Sequence, residues 1–386
     1  MPWKEVSLVD ELVHFITEVN ESPESFAAVC RSFGISRKTG YKWVARYEEA
    51  GPAGLQLRRP IARTCPHRTG DDVVAAIVEL RKEHPSWGPK KLKARLEALG
   101  QSNLPAASTI GDLLMRHGLV RPRRRRAYPP SMTPQALAEA TVPNDTWCVD
   151  FKGHFGLGDK TRCYPLTLTD QVSRYWLKCE SVDKPDEAHV RMHFERAFRE
   201  LGLPLRVRSD NGPPFATTGI GGLGALSVWW IKLGIVPERI EPGKPQQNGR
   251  HERMHRTLKD DVANKPEANR KAQQLAFDRF RHEYNDVRPH EALSQQTPSS
   301  RYTTSRRVMP AALTSPEYPA TMEVRRVQPA GDISWQGHLV HVTKLLGGEP
   351  VGLEQLEEQR WRMHYGPVVL AELTMRGKEV RLDKQR

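Results

Sequence analysis

The sequence has few cysteines, and their spacing excludes two kinds of small-domain framework. Only five occur in 386 residues, at Cys30, Cys65, Cys148, Cys163 and Cys179. Because no two of them form a C-x-x-C pair, we predict neither a zinc knuckle nor a disulfide scaffold. A reducing cytosol is the simplest location for such a chain.

Long apolar runs are also missing, which argues against a membrane protein. The longest weakly polar stretch, residues 219–236, is rich in Gly and is interrupted by Ser227 and Lys232. It is therefore a poor candidate for a membrane span. Glu5 and Asp10 lie where a signal peptide would need a basic start and an apolar run. We expect a protein without membrane association.

Nucleotide-binding loops are the third absence. The sequence contains no G-x-x-x-x-G-K-[ST] motif, so ATP use is not indicated. Residues 219–224 match G-x-G-x-x-G literally, but the nearest predicted strand ends at Ser209 instead of directly before them. We interpret residues 219–224 as a flexible insertion, and we expect no nucleotide cofactor.

Basic residues, in contrast, are in excess. The chain has 59 Lys and Arg against 46 Asp and Glu, a net charge of +13. Such an excess favours nucleic acid as the partner, because cationic side chains neutralise phosphates and release counterions. A merely basic protein remains open at this level. The length fits two to four domains.

Residues 1–60 have the pattern of a helix-turn-helix DNA-binding unit. An apolar face begins at Phe26, Gly34 marks a turn, and Ser36 can cap a basic helix that covers residues 37–47. An ordinary helical hairpin is the alternative. The side chains expected to face a DNA major groove are Arg37, Lys38, Thr39 and Lys42.

Residues 61–120 repeat this organisation as a second unit similar to a helix-turn-helix. Helices are predicted at residues 71–83, at residues 90–99 and from Pro105 to His117. Two tandem units favour DNA binding more than either does alone.

A basic linker with several prolines, residues 121–143, follows the helical units. Its dense positive charge suits a strap across a phosphate backbone, although such runs are usually solvated. The residues expected to contact phosphates are Arg123, Arg124, Arg125 and Arg126.

The larger part of the chain is predicted to be α/β. Within residues 144–300, three strand candidates precede a helix, a strand, a helix, a strand and two helices, which describes a mixed sheet covered by helices. Residues 320–386 then alternate apolar and polar residues between glycines, with strands predicted at residues 322–327, 338–342, 359–365 and 368–373. They predict a small all-β domain, either a barrel or a sheet.

Three acidic residues stand out by their places in the predicted strands and helices. Asp150 lies inside the first predicted strand, Asp210 follows the fourth, and Glu252 is one turn into a helix predicted over residues 248–262. A carboxylate in a buried strand is unfavourable unless it is paired or binds a metal. Ligation by oxygen alone suits Mg²⁺ or Mn²⁺, and two such ions can support attack at a phosphodiester.

The order of motifs around these acids resembles that of one known family. The motifs are Trp147-x-x-Asp150, Ser209-Asp210-Asn211-Gly212-x-x-Phe215, Pro245-Gln246-x-Asn248-Gly249-x-x-Glu252-Arg253-x-His255 and Tyr284-Asn285-x-x-Arg288-Pro289-His290. They are similar to those of the integrase core of bacterial insertion-sequence transposases, which are D,D,E recombinases related to retroviral integrases. The similarity covers about residues 144–300.

The resemblance implies an RNase H-like core in which Asp150, Asp210 and Glu252 bind two metal ions and carry the catalysis. It also implies that Lys259, two turns after Glu252, holds DNA beside the metals. The expected function is metal-dependent strand cleavage and 3′-hydroxyl strand transfer on DNA bound at the element's terminal repeats. A homo-oligomer bridging two DNA ends, in the bacterial cytoplasm at the nucleoid, is also implied.

The interval between Asp210 and Glu252 is longer than is common in that family, and residues 219–224 look like the addition. Two rival functions also remain open. One is an inactive or domesticated transposase that acts as a DNA-binding repressor, against which the intact acidic set argues. The other is a nuclease of the same fold that only hydrolyses.

Several other polar residues have structural interpretations. Asp170 and Ser173 are predicted to shape the turn between the second and third strands of the core. Arg288 and His290 are predicted to hold the last core helix, with a lesser chance of contacting DNA. None of the four is expected in the catalytic set.

Overall fold

The structure, a computed structural model, describes residues 7–56, 68–120, 137–241, 247, 249–376 and 379–384. The chain divides into two compact units, residues 1–68 and 69–386. The expected phosphate strap, Arg123–Arg126, lies outside the described residues, as do Pro245, Gln246 and Asn248 of the third motif. Within the described ranges, no helix combines the length and the apolar character needed to cross a membrane.

The first unit is helical, as predicted. Its helices are α1 (Leu8–Glu21), α2 (Phe26–Ser32) and α3 (Arg37–Ala50). Ser36 caps α3 by accepting a hydrogen bond from the backbone N–H of Thr39, and Gly34 makes the preceding turn with a φ of +66°. The helices enclose a core of their own, built from Phe15, Ile16, Val29, Cys30, Trp43 and Leu55.

Three further helices follow at the start of the second unit. They are α4 (Asp71–Glu83), α5 (Pro89–Ala98) and α6 (Ala107–Arg116), close to the predicted ranges. Trp87, Ile77 and Ile110 are fully buried between them. The group contacts the core domain directly, because His84 Nδ1 lies 2.9 Å from Glu283 Oε1 and Lys90 Nζ lies 2.5 Å from Glu291 Oε1.

The core is a mixed sheet, which confirms the α/β prediction. Its strands are β1 (Thr146–Phe151), β2 (Phe155–Gly156), β3 (Arg162–Asp170), β4 (Trp176–Val182), β5 (Arg206–Ser209) and β6 (Val236–Arg239). The main order is β4-β3-β1-β5-β6, and β2 pairs with one end of β3. β1, β3 and β4 are antiparallel neighbours, whereas β5 and β6 run parallel to β1.

Helices cover both faces of this sheet. They are α7 (Glu187–Leu201), α8 (Ala225–Lys232), α9 (Gly249–Leu258) and α10 (Arg270–His282). One core joins Trp147 and Val149 of β1 to α7 and α8, and a second joins Trp176 and Cys179 of β4 to α9 and α10. Because side chains alternate along a strand, the opposite face of β1 presents Asp150 towards α9.

The predicted helix at residues 248–262 is not α-helical to its end. α9 stops at Leu258, and Lys259–Ala263 form a π-helical turn. The α-helical spacing expected between Glu252 and Lys259 therefore holds only up to Leu258. Both side chains are exposed.

The C-terminal region is all-β, as predicted, but with more strands. They are β7 (Glu323–Arg326), β8 (Asp332–Trp335), β9 (His338–His341), β10 (Pro350–Glu357), β11 (Arg360–Tyr365), β12 (Val368–Arg376) and β13 (Glu379–Lys384). A five-stranded antiparallel sheet has the order β13-β12-β11-β10-β7, and β8 pairs with β9. The sequence analysis missed β8, β10 and β13.

The prediction that residues 219–224 form a flexible insertion is wrong. Ile220, Gly221, Gly222 and Leu223 are buried, and the two apolar side chains pack against the C-terminal sheet together with Ile231 of α8. Glycine is needed here because Gly221 and Gly222 adopt φ values of +59° and +63°. We call residues 220–223 the docking segment, since it attaches the C-terminal sheet to the core.

Gly221 allows a direct test of the docking segment. A Cβ atom at this position would lie 3.0 Å from Leu370 Cδ2 and 3.1 Å from the carbonyl oxygen of Val369. We expect Gly221→Ala to lower the free energy of unfolding by about 2–4 kcal/mol, of which 1–2 come from the left-handed backbone and the rest from overpacking.

Gly118→Ala is the matched control, because Gly118 has a φ of +69° and no atom within 4 Å of a built Cβ. Gly118→Ala should lower the free energy of unfolding only by the backbone contribution, about 1–2 kcal/mol. Urea denaturation of both variants measures the difference. Limited proteolysis should also release the C-terminal sheet faster from the Gly221 variant alone. Equal losses from both variants would contradict the role of the docking segment.

Candidate active site

Two of the three predicted acids lie at one edge of the core sheet. β1 and β5 are parallel neighbours, with Cys148 opposite Arg208. Asp150 lies near the carboxyl end of β1, and Asp210 directly follows β5. In open α/β sheets this edge is where ligands bind. The backbone N–H of Gly212 donates to Asp210 Oδ1 at 3.1 Å and orients that carboxylate.

The third acid, Glu252, is held over this edge by its own helix. On α9 it is flanked by two buried histidines, His251 and His255, which are 1% and 4% exposed. Thr167 Oγ1 of β3 lies 2.8 Å from His251 Nε2 and 2.7 Å from His255 Nε2, and Thr169 Oγ1 lies 2.8 Å from His251 Nδ1. These contacts fix α9 against the sheet.

Basic side chains offset the negative charge of the site only in part, through Lys152. Burial, together with the negative charges of Asp210 and Glu252, raises the pKa of Asp150 from its usual 3.8 to about 7. Within the described part of the chain, the basic side chain nearest to the Asp150 carboxylate is the neutral imidazole of His255, whose Nδ1 lies 3.6 Å from Asp150 Oδ2. Three carboxylates that repel one another fit a divalent cation, because a cation relieves both the repulsion and the desolvation.

The two histidines are neutral. Burial lowers the pKa of His251 to about 3, and burial together with the neighbouring His251 lowers the pKa of His255 further. The possible metal-ligating atoms of Asp150, His251 and His255 lie within 4.8 Å of one another. The sequence analysis gave these histidines no role, although their spacing around Glu252 places all three near one sheet edge.

Asp170, the last residue of β3, has the structural role predicted for it. Asp170 is paired with Trp147, at the end of β1 opposite to Asp150. It accepts hydrogen bonds from the backbone and hydroxyl of Ser173 at 2.7 and 2.6 Å, and from the backbone N–H of Asn144 at 2.8 Å. These bonds shape the turn before β4.

The Arg288-Pro289-His290 motif also has the structural role expected of it. Arg288 Nη1 lies 3.2 Å from Asp261 Oδ2, and the His290 ring packs on Tyr284 with centroids 4.5 Å apart. Arg288 and His290 are 7% and 9% exposed. They therefore hold the end of α10 against the segment that follows α9.

The candidate DNA-reading side chains of α3 share one exposed face. Arg37, Lys38 and Lys42 are exposed, whereas Thr39 is half-buried and its hydroxyl lies 2.9 Å from that of Ser36. Thr39 thus belongs to the helix cap. Tyr41, which the sequence analysis missed, is 60% exposed on the same face.

Family models match both the core and the helices before it. Residues 140–245 match the family description "Integrase core domain", and residues 233–298 match a second model with the same description. Residues 39–114 match a "Homeodomain-like domain". The chain is therefore an integrase-core protein with homeodomain-like helices before its core.

Two relatives come from bacterial insertion elements. The "Insertion element IS407 uncharacterized 31.7 kDa protein" of Burkholderia multivorans is 28% identical over 236 residues, which are 61% of this chain and 82% of that protein. The "Insertion element IS476 uncharacterized 39.2 kDa protein" of Xanthomonas euvesicatoria is 31% identical over 234 residues, 58% of this chain and 63% of that protein. Over its core, then, the chain is similar to proteins that bacterial insertion elements encode.

Solved structures include the integrase catalytic core domain of HTLV-2 in complex with magnesium. It is 18% identical, and the match covers 43% of this chain and 100% of that one with a TM-score of 0.34.

The raised pKa of Asp150 predicts an unusual dependence of stability on pH in the metal-free protein. A carboxyl group with a raised pKa in the folded state stabilises the fold fully below pH 3.8, and this stability is lost as the pH rises through about 7. The full difference between the two pKa values of Asp150 corresponds to about 4 kcal/mol in the free energy of unfolding. In the presence of a chelator we expect Asp150→Asn to raise the free energy of unfolding at pH 8 by about 1–2 kcal/mol.

Asp150→Asn should raise the free energy of unfolding by less at pH 5.5, where the wild-type carboxyl group of Asp150 is largely protonated. Asp159→Asn is the control, because hydrogen bonds from Thr161 lower the pKa of the exposed Asp159 and its replacement should give no gain at pH 8. Urea denaturation at both pH values measures the difference. A loss of stability in Asp150→Asn at pH 8 would contradict the described electrostatics.

Proposed function

We propose that this chain is the transposase of a bacterial insertion sequence, acting as a D,D,E-type polynucleotidyl transferase. In this proposal it binds the element's terminal repeats, cleaves DNA strands and transfers the 3′-hydroxyl end to target DNA. Asp150, Asp210 and Glu252 are its catalytic residues. The observation that carries the proposal is the gathering of these carboxylates at one sheet edge, where Asp210 and Glu252 raise the pKa of Asp150.

The donor set is consistent with Mg²⁺ or Mn²⁺. Oxygen ligands suit these hard cations, and each of the three residues offers a carboxylate. A pair of such ions supplies activation of the attacking hydroxyl or water and stabilisation of the leaving oxygen. In the proposal the three side chains hold the ions, and the His251 and His255 contacts with β3 keep α9 and Glu252 in register with Asp150.

DNA engagement is proposed for three parts of the chain. The exposed face of α3 reads bases through Arg37, Lys38 and Lys42, and Tyr41 adds contact area on that face. Lys259, exposed just after α9, binds a phosphate close to the carboxylates. The remaining phosphate contacts are proposed for Arg123, Arg124, Arg125 and Arg126.

Joining two ends of an element to one target needs both ends in one complex. We therefore infer a homo-oligomer assembled on double-stranded DNA, in which the net charge of +13 favours association with the phosphate backbone. A repressor without catalysis and a nuclease without strand transfer are the outcomes that the tests below distinguish from this proposal.

The catalytic assignment predicts that neutralising any one acid has the same result. Glu252→Gln, Asp150→Asn and Asp210→Asn keep the shape of each side chain and remove a charge that holds metal. Each should abolish both nicking and strand transfer of labelled terminal DNA with Mg²⁺ or Mn²⁺, while DNA binding survives. Double variants should lose no more activity, because the carboxylates act as one unit.

Asp260→Asn is the control, since Asp260 is an exposed carboxylate just beyond α9 and its variant should retain activity. Appreciable nicking by a folded Glu252→Gln protein would overturn the assignment. Nicking by the wild type without joined products on a target plasmid would favour the nuclease, and binding without nicking would favour the repressor.

The base-reading role of α3 predicts a loss of specificity. Replacing Arg37, Lys38 or Lys42 by Ala in the full chain should weaken binding to terminal DNA by about 1–3 kcal/mol for each base contact. Binding to scrambled DNA should change much less. Lys184→Ala removes an exposed cation from the core domain and is the control.

Competition binding with terminal and scrambled duplexes at one salt concentration measures the ratio of affinities. If the three α3 variants lose affinity equally for both duplexes, α3 contacts phosphates only. The recognition role would then be wrong.

A further inference from the structure

The hydroxyl of Thr167 is the centre of a buried hydrogen-bond network beside the carboxylates. Thr167 is the cross-strand partner of Asp150 in the β1–β3 pair. Its Oγ1 lies 2.8 Å from the carbonyl oxygen of Asp150, 2.8 Å from His251 Nε2 and 2.7 Å from His255 Nε2. Three polar atoms therefore share one hydroxyl group.

Counting protons assigns the tautomer of each imidazole. A carbonyl oxygen only accepts, so Thr167 donates its single proton to Asp150. Both histidines must then donate to Thr167 through Nε2–H, and in a neutral imidazole the other nitrogen carries no proton. His251 Nδ1 accepts from the hydroxyl of Thr169 at 2.8 Å, so both nitrogens of His251 are used.

His255 differs from His251 at its second nitrogen. Among the residues that the structure describes, no group donates a hydrogen bond to His255 Nδ1, although the residue is only 4% exposed. This unprotonated nitrogen faces Asp150, and His255 Nδ1 lies 3.6 Å from Asp150 Oδ2. Two lone pairs that face each other repel, and a cation between them would satisfy both.

The distance permits that cation. Ligand atoms of Mg²⁺ or Mn²⁺ lie about 2.1 Å from the ion, so two ligands of one ion are separated by at most about 4.2 Å. The 3.6 Å between His255 Nδ1 and Asp150 Oδ2 is within this limit. His251 is excluded as a ligand, because both of its nitrogens already bond to Thr167 and Thr169.

We propose that His255 is a further metal ligand, binding through Nδ1 the cation that Asp150 holds. The proposal rests on the proposed function, because it concerns the same metal site. The metal site would then contain one imidazole nitrogen, that of His255, besides the carboxylate oxygens. Nitrogen ligands favour transition metals, so the site should prefer Mn²⁺ over Mg²⁺ more than carboxylates alone would.

Pulsed electron paramagnetic resonance of the full-length protein loaded with Mn²⁺ tests this directly. A directly bound imidazole gives a nitrogen coupling to the Mn²⁺ electron spin, and protein labelled with ¹⁵N-histidine should show the ¹⁵N coupling in its place. This readout needs neither a variant nor activity. Mn²⁺ that is bound without any histidine coupling would overturn the inference and leave the carboxylate triad standing.

Variants then identify the histidine. His255→Asn should remove the coupling and weaken Mn²⁺ binding in calorimetry by roughly tenfold or more, with a smaller loss for Mg²⁺. His193→Asn is the matched control, because His193 Nδ1 also lies 3.6 Å from a carboxylate oxygen, that of Glu180, on another part of the core. It should change neither the coupling nor the affinity.

The remaining outcomes are also decisive. A coupling that persists in folded His255→Asn would come from another histidine and would contradict the inference. If the wild type binds no Mn²⁺ at all, both this inference and the proposed function fail. Failure of the inference alone is thus distinguishable from failure of the function.

Discussion

The mutual repulsion of three carboxylates at one sheet edge is the constraint on which the site depends. Burial and the charges of Asp210 and Glu252 raise the pKa of Asp150 to about 7, and the described residues supply no Lys or Arg ion pair for Asp150. The protein must therefore hold these groups together with interactions elsewhere. Parallel pairing of β1 with β5 does so for the two aspartates, and hydrogen bonds between α9 and β3 do so for Glu252.

The rest of the second unit supports that edge from two sides. Apolar side chains of β1 face α7 and α8, which leaves the opposite face of the same strand for Asp150 and the helix α9. The docking segment, residues 220–223, joins α8 to the C-terminal sheet through buried Ile220 and Leu223. Residues 220–223 thus serve the attachment of the C-terminal sheet to the core.

Much of the fold could be predicted from the sequence, because local signals determine it. The capped helix at residues 37–50, the helix Asp71–Glu83 and the strands carrying Asp150 and Asp210 follow from caps and periodicity. The strands β8, β10 and β13 were missed, since short length, Pro350, Gly352 and charged residues weaken their alternation. The bonds from α9 to Thr167 were also missed, because they join residues 84 and 88 positions apart, which no local pattern encodes.

The central claim is that Asp150, Asp210 and Glu252 together hold a divalent cation. The most direct measurement is anomalous X-ray diffraction from crystals of the full-length protein soaked in Mn²⁺. The account predicts an anomalous peak at the edge formed by the ends of β1 and β5, within ligand distance of Asp150 and at least one other of the three carboxylates. No peak at this edge, with ordered Mn²⁺ elsewhere on the protein, would contradict it.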